Sequence, residues 1–193
     1  SDSDNVTKCL KPLNMYGYSK QMFDLWALRR GLFDRIVGLK FFNVYGPYEE
    51  HKGDMRSVVS KAYGQVVTTG QVSLFRSYRE GIGDGEQRRD FIYVGDAVRV
   101  ILHFNDNRDV SGLINCGTGR ARTWLDLAHA VFRALDLPPS IRFTDMPPTI
   151  RATYQYFTEA KIDKLRVAGW KDAFVELEDG VDDYVRNYLV PGV

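Results

Sequence analysis

The chain has 193 residues, 44% hydrophobic and 26% charged, with 26 Lys plus Arg against 25 Asp plus Glu and a formal charge of +1. That suffices for a packed core and argues against wholesale disorder, and near-neutrality gives no global electrostatic reason to bind nucleic acid or an anionic membrane. No apolar run approaches the roughly 20 residues a membrane helix needs, and Cys9 and Cys116 with three scattered histidines, His51, His103 and His129, make neither a disulfide framework nor a metal set.

Residues 1–5 are polar and acidic and lack the basic start and apolar stretch of a signal peptide, so the cytoplasm is the expected compartment. Met22, Phe23, Leu25, Trp26 and Ala27 recur at helical offsets and predict a helix over 18–30, stopped by Gly31. Branched and aromatic residues over 35–45, closed by Gly46-Pro47, predict one buried strand feeding a loop. Met55, Val58, Val59, Ala62 and Val66 predict a helix after Asp54, and 72–76 a short strand. Charges with Gly81, Gly83 and Gly85 make 78–89 a loop, before a strand over 90–94 and a helix opened by Asp96. The strand 113–116 breaks into Gly117-Thr118-Gly119, and Thr123 caps a helix carrying Trp124, Leu127, Ala128, Val131 and Leu135. Proline pairs bracket a strand at 141–143, and two helices are expected over 158–167 and 177–189. This alternation predicts an α/β fold with a largely parallel sheet.

The first chemical constellation is Tyr16-Gly17-Tyr18-Ser19-Lys20. On a helix, residues four apart share a face. A phenol titrates near ~10, and a neighbouring ammonium stabilises its phenolate. Such a pair can exchange a proton with a substrate hydroxyl. The spacing alone favours a solvated Lys beside a packed Tyr, and Tyr48 and Lys52 repeat it.

Four stretches then occur in one order: Tyr16-Gly17-Tyr18-Ser19-Lys20; Phe41-Phe42-Asn43-Val44-Tyr45-Gly46-Pro47; Arg89-Asp90-Phe91-Ile92-Tyr93-Val94-Gly95-Asp96; and Asn115-Cys116-Gly117-Thr118-Gly119. Together they resemble the extended short-chain dehydrogenase/reductase superfamily, which modifies nucleotide sugars. Within it, Glu49-Glu50-His51-Lys52-Gly53-Asp54-Met55, Leu74-Phe75-Arg76-Ser77 and the run from Arg151 to Thr158 look most like the ADP-heptose 6-epimerase family. The likeness runs from about residue 14 to the end. It implies a soluble homo-oligomeric enzyme that uses NADP to oxidise C6 of an ADP-heptose to a ketone and then reduces the opposite face. Two faces of one carbon call for two proton carriers. By resemblance these are Tyr16, tuned by Lys20, and Lys52. Lys20, Val44 and Lys52 would touch the cofactor. Asn43, Asp54, Lys61, Phe75, Arg76, Ser77, Tyr78, Arg89 and Tyr154 would touch the nucleotide sugar. Arg89 is the best physical candidate for the diphosphate, because a guanidinium fork binds its oxygens bidentately.

The family opens with a Gly-rich turn that seats the dinucleotide pyrophosphate on a helix N-terminus. Nothing of that kind precedes Tyr16. Gly117-Thr118-Gly119 only superficially resembles such a turn. The expected fold is therefore a partial Rossmann-like parallel sheet from 1–43, 90–119 and 153–168, plus a small α/β substrate domain from 44–89, 120–152 and 169–193. The isolated chain is expected to bind NADP poorly and to expose an unpaired sheet edge. Rival readings are another nucleotide-sugar epimerase or dehydratase of the superfamily, and a non-catalytic sugar-nucleotide-binding fragment.

Overall fold

The structure is a computed structural model that describes residues 4–190. In chain order the elements are α1 (Asp4–Cys9), α2 (Met15–Arg29), β1 (Val37–Phe41), β2 (Asn43–Tyr45), α3 (Val58–Thr69), β3 (Val72–Phe75) and β4 (Arg88–Tyr93). They continue with α4 (Val94–Asp106), β5 (Gly112–Cys116), β6 (Ala121–Thr123), α5 (Trp124–Ala134), β7 (Ile141–Thr144), α6 (Pro148–Arg151), α7 (Asp163–Val167) and α8 (Leu177–Tyr184). Short 3-10 turns cover Leu32–Asp34 and Glu50–Met55, and a π-turn, Val185–Leu189, extends α8.

The α/β expectation holds. β1 pairs in parallel with β5, β2 with β4 and β3 with β7, and only β6 runs antiparallel, against β4. Among the described residues β1 has no strand on its other side, and Phe41 at its end is exposed. This is the open edge expected from the sequence.

Three apolar clusters hold the elements. Val59 and Val66 of α3, Leu127 and Val131 of α5, and Val181 and Tyr184 of α8 pack together against Leu74 of β3. Val100 and Phe104 of α4 meet Ile92, Ile114, Leu165 and Trp170. Ala27, Phe33 and Leu113 seat α2 beside β5. Each fully buried side chain of this size contributes about 1.5–3 kcal/mol. The Thr123 cap forms as read: its hydroxyl accepts from Asp126 N at 2.9 Å, and the Asp126 carboxylate accepts from Thr123 N at 2.9 Å, a complete capping box.

Several boundaries differ from the sequence reading, each for a local reason. α2 begins at Met15 rather than at 18, because Asn14 caps it, Oδ1 accepting from Gly17 N at 2.8 Å. The single strand expected over 35–45 is two strands in different sheets. At Phe42 the chain hands over: Phe42 N donates to Cys116 O at 3.0 Å, while Val44 N turns back to Phe42 O at 2.9 Å. The helix expected over 158–167 is confined to Asp163–Val167. The segment before it runs beside β4, with Arg88 N donating to Tyr156 O and Thr158 N to Arg88 O, so its donors and acceptors are spent across the chain rather than along it. The helix expected over 177–189 ends as an α-helix at Tyr184.

Candidate active site

The Tyr16 to Lys20 turn is the first turn of α2. Gly17 is forced by proximity, since a Cβ there would sit 3.0 Å from Pro12 Cβ. Ser19 Oγ donates to Tyr16 O at 2.8 Å. With helix geometry established, Tyr16 and Lys20 share a face, and the Lys20 ammonium lies 5.1 Å from the Tyr16 ring centroid. Tyr16 is 72% exposed and borders two cavities, one shared with the loop that follows β2 and one with the segment Ile150 to Gln155.

Tyr16 borders a cavity of about 430 Å³ that is also lined by Asn43, Val44, Glu49 and Lys52, with Phe91 and Leu127 beneath. The loop that brings Lys52 there turns sharply. Gly46 has φ 149°, and a Cβ there would fall 2.3 Å from a Val94 methyl. Tyr48 sits at φ 66°, a left-handed conformation that costs a bulky residue on the order of 1–3 kcal/mol. The turn sends the Glu49 side chain inward, 4% exposed. Its carboxylate accepts from Ser57 N at 2.7 Å, from Ser57 Oγ, and from the Tyr184 hydroxyl at 3.0 Å. Lys52 rides on the following 3-10 turn, its N donating to Glu49 O at 3.0 Å. The structure thus places Tyr16, Asn43, Val44 and Lys52 on one cleft. Asp54 is exposed on the same turn and Lys61 is half-buried on α3, and neither lines it.

A neighbouring cavity of about 600 Å³ opens on the other side of Tyr16. Four cations line it, Lys11, Lys20, Lys40 and Arg89, and among the described residues no acidic side chain does. Lys40 also forms an ion pair with Asp24 on α2. Arg89 is 8% exposed; burial pulls its pKa down, with Tyr154 opposing. Its guanidinium lies over the rings of Tyr154 and Trp124, 5.3 and 5.6 Å from their centroids, and donates to Arg88 O at 2.8 Å. No carboxylate among the described residues forms an ion pair with it. Trp124 Nε1 donates to the Tyr154 hydroxyl at 3.0 Å, and Phe75 meets Tyr154 edge-on at 6.4 Å.

Arg76, Ser77 and Tyr78 form a network of their own beside Phe75. Arg76 pairs with Asp84 at 3.2 Å and Asp145 at 3.7 Å. Ser77 N donates to Asp84 Oδ1 at 2.7 Å. Tyr78 donates to Asp145 at 2.9 Å and accepts from Arg151 at 2.9 Å, whose guanidinium stacks 3.9 Å from its ring. These three line neither cavity, and neither does Phe75, which reaches the cationic one only through its contact with Tyr154; Tyr154 and Arg89 are the part that lines it.

The turn Gly117-Thr118-Gly119 already holds an anion, supplied by the protein. The fully buried Asp90 carboxylate accepts from Thr118 N and Thr118 Oγ1 at 2.8 Å each, from Gly119 N at 2.9 Å and from Ala160 N at 3.0 Å. With its amides spent, this turn offers no pyrophosphate cradle. The sequence reading missed the interior roles of Asp90, Glu49 and Lys40, each of which had stood only as a letter in a motif or a strand.

Parallel strand pairs flanked by helices, with a Tyr–Lys pair at the mouth of the central cleft, define a Rossmann-like α/β protein. Residues 1–117 match the model of the NAD dependent epimerase/dehydratase family, and the chain belongs to that family. It is 59% identical to an ADP-L-glycero-D-manno-heptose-6-epimerase of Nitratidesulfovibrio vulgaris, over 98% of this chain and 58% of the relative. It is 49% identical to the protein of that name from Fusobacterium nucleatum, over 93% of this chain and 56% of the relative. Among solved structures, the ADP-L-glycero-D-manno-heptose-6-epimerase of Helicobacter pylori superposes with a TM-score of 0.78 at 27% identity, covering 93% of this chain and 52% of that one. A Thermus thermophilus UDP-glucose 4-epimerase, in complex with NAD, gives 0.71 at 25% identity, over 94% and 56%. The chain therefore spans little more than half the length of the relatives it matches.

Proposed function

We propose that this chain carries the acid/base and sugar-nucleotide residues of an enzyme that epimerises ADP-D-glycero-D-manno-heptose at C6, through a 6-keto sugar, with NADP. The observation that carries the reading is the shared cleft: Tyr16 and Lys52 arrive from different elements, α2 and the Glu50–Met55 turn, and line one cavity.

A nicotinamide dinucleotide, when bound, supplies the hydride acceptor and donor. Lys20 and Val44, beside Tyr16, fit the nicotinamide end of such a molecule: a cation for its ribose hydroxyls, and a backbone position at the cleft. The Asp90-filled turn does not fit its pyrophosphate. The chain's own residues handle protons. Tyr16, as phenolate held by Lys20, accepts the proton of the C6 hydroxyl on one face as the ketone forms. When the opposite face is reduced, Lys52, as ammonium, gives a proton to the developing alkoxide. The reverse direction exchanges the two roles. Proton count balances, because one hydroxyl proton leaves and one returns.

The cationic cavity supports an ADP-linked substrate. Lys11, Lys20 and Arg89, which form no ion pair among the described residues, suit a diphosphate, and a guanidinium such as that of Arg89 binds phosphate oxygens well. Phe75 and Tyr154 give the adenine ring aromatic neighbours. A second reading, another nucleotide-sugar epimerase of the family, shares Tyr16 and Lys20 but has no use for Lys52. The deciding experiment is turnover of ADP-heptose by the full-length gene product with NADP. Loss of epimerisation in both Tyr16→Phe and Lys52→Ala supports the proposal. Wild-type turnover by Lys52→Ala overturns it in favour of the second reading, and absence of any turnover by the wild type favours a binding role.

A further inference from the structure

The turn that carries Lys52 puts no side chain into the core, and its Gly53 carbonyl is held only locally, by Arg56. None of the residues from Glu50 to Met55 is buried, and Gly53 within it adopts φ 52°, ψ −123°, a conformation open to glycine alone. A segment with no side chain in the core is free to drift unless its ends are held. Both ends are held here by one residue. Glu49 opens the segment, and its carboxylate reaches across to Ser57, which closes it, taking both the Ser57 amide at 2.7 Å and the Ser57 hydroxyl. The same carboxylate accepts from Tyr184 of α8 at 3.0 Å, which ties the clamp to the main core. The Glu49 carbonyl in turn accepts from Lys52 N.

A simple helix cap does not account for this arrangement. Ser57 is itself the cap of α3, its hydroxyl accepting from Ser60 N at 3.3 Å. Burying a carboxylate beside three neutral donors is expensive compared with a neutral acceptor in the same place. What the charge adds is a two-pronged grip on a single residue eight positions away, with stronger and more directional bonds than a neutral group makes. Burial of the Tyr184 phenol itself raises its pKa first and the Glu49 charge next, which keeps that phenol a donor to the clamp.

We propose that Glu49 is a positioning residue for Lys52: its carboxylate closes the 49–57 loop and fixes where the Lys52 amine enters the cleft opposite Tyr16. This rests on the proposal that Lys52 is a proton carrier. A displacement of about 1 Å in a catalytic group costs on the order of a hundredfold, and the clamp is what prevents it.

The test is a double-mutant cycle in the full-length gene product, read as kcat and KM for ADP-heptose epimerisation. Glu49→Gln keeps the shape but sets an NH₂ group against donors. It is expected to lower kcat by about tenfold to a hundredfold with KM changed less than about twofold. On the residual turnover of a Lys52→Ala background, followed at high enzyme concentration, the same change is expected to cost less than about twofold, because there is no longer an amine to place. Equal losses in both backgrounds, or a loss confined to thermal stability, overturn the proposal. If Glu49→Gln does not fold, Ser57→Ala removes one prong and must show the same dependence on Lys52, and additivity there overturns it as well. A Lys52→Ala enzyme with wild-type turnover refutes the underlying reading instead, so the two failures are told apart.

Discussion

Replacing Asp90 by Asn perturbs a single atom in a carboxylate that accepts four hydrogen bonds. Asp90 is fully buried, and each of its oxygens accepts two hydrogen bonds: Oδ1 from Thr118 N and Oγ1, Oδ2 from Gly119 N and Ala160 N. Whichever way the amide of Asn is turned, its NH₂ faces two donors. Two bonds to a charged acceptor are lost, at roughly 1.5–3 kcal/mol each. Relief by rotation of the Thr118 hydroxyl, and hydration of the half-buried Thr118 and Gly119, recover part of this. The net loss should be about 2–4 kcal/mol. There is no room to relax toward the turn, since Gly117 already approaches the carboxylate so closely that a Cβ on it would fall 2.9 Å from Oδ2. With a urea m-value of about 2 kcal/mol/M for a chain of this size, the midpoint should fall by about 1–2 M. Equilibrium urea unfolding followed by fluorescence, with Asp90→Asn beside wild type, measures it. A shift below about 0.2 M would show that the turn is not held by the carboxylate.

Gly38→Ala should destabilise by about 1–3 kcal/mol, because the new methyl meets the Phe33 ring at 2.6 Å and Leu113 at 2.9 Å; thermal unfolding checks this. Arg89→Met, which keeps the bulk over Tyr154 and Trp124, should raise KM for the ADP-sugar by about tenfold to a hundredfold, the worth of a lost charge-assisted contact, with kcat less affected. Glu178 has a pKa held below its ordinary value, chiefly by its hydrogen bond to Arg122. A depressed carboxylate stabilises the fold above its unfolded pKa of ~4.3 and loses that contribution as pH falls through its lower folded value. Arg122→Gln should therefore cost stability at pH 7 and progressively less on acidification below about pH 4, and a pH series of urea midpoints would show a constant difference if the pair contributed nothing.

The parts of this molecule that could be read from the sequence are those written locally. The capping box of Thr123 with Asp126 needs only residues three apart, and the face shared by Tyr16 and Lys20 needs only a helix under them. The parts that could not be read depend on chain crossings. Residues 158–162 carry a helical pattern, but β4 and the Asp90 carboxylate capture their backbone donors, so the helix starts late. The apolar run over 35–45 cannot announce that its first half pairs with β5 and its second with β4. Within the site, Tyr16, Lys52, Asn43, Val44, Arg89 and Tyr154 came from family likeness, and the fold gathers them around two adjoining cavities, with Phe75 behind Tyr154. The same likeness put Lys61 and Asp54 at the sugar, where the fold leaves them off the cleft wall. Glu49 and Asp90 were invisible as interior groups, because nothing in a linear sequence says that an acid will find its donors 8, 28 or 135 residues away.

The proposed epimerisation needs opposed proton carriers, and a crystal structure of the full-length gene product with NADP and an ADP-heptose analogue tests that most directly. The prediction is that the Tyr16 hydroxyl and the Lys52 amine each come within hydrogen-bond reach, about 2.6–3.2 Å, of the C6 oxygen position from opposite faces of that carbon. A complex in which both groups approach the same face, or in which Lys52 stays in solvent while the sugar is seated against Tyr16, contradicts it.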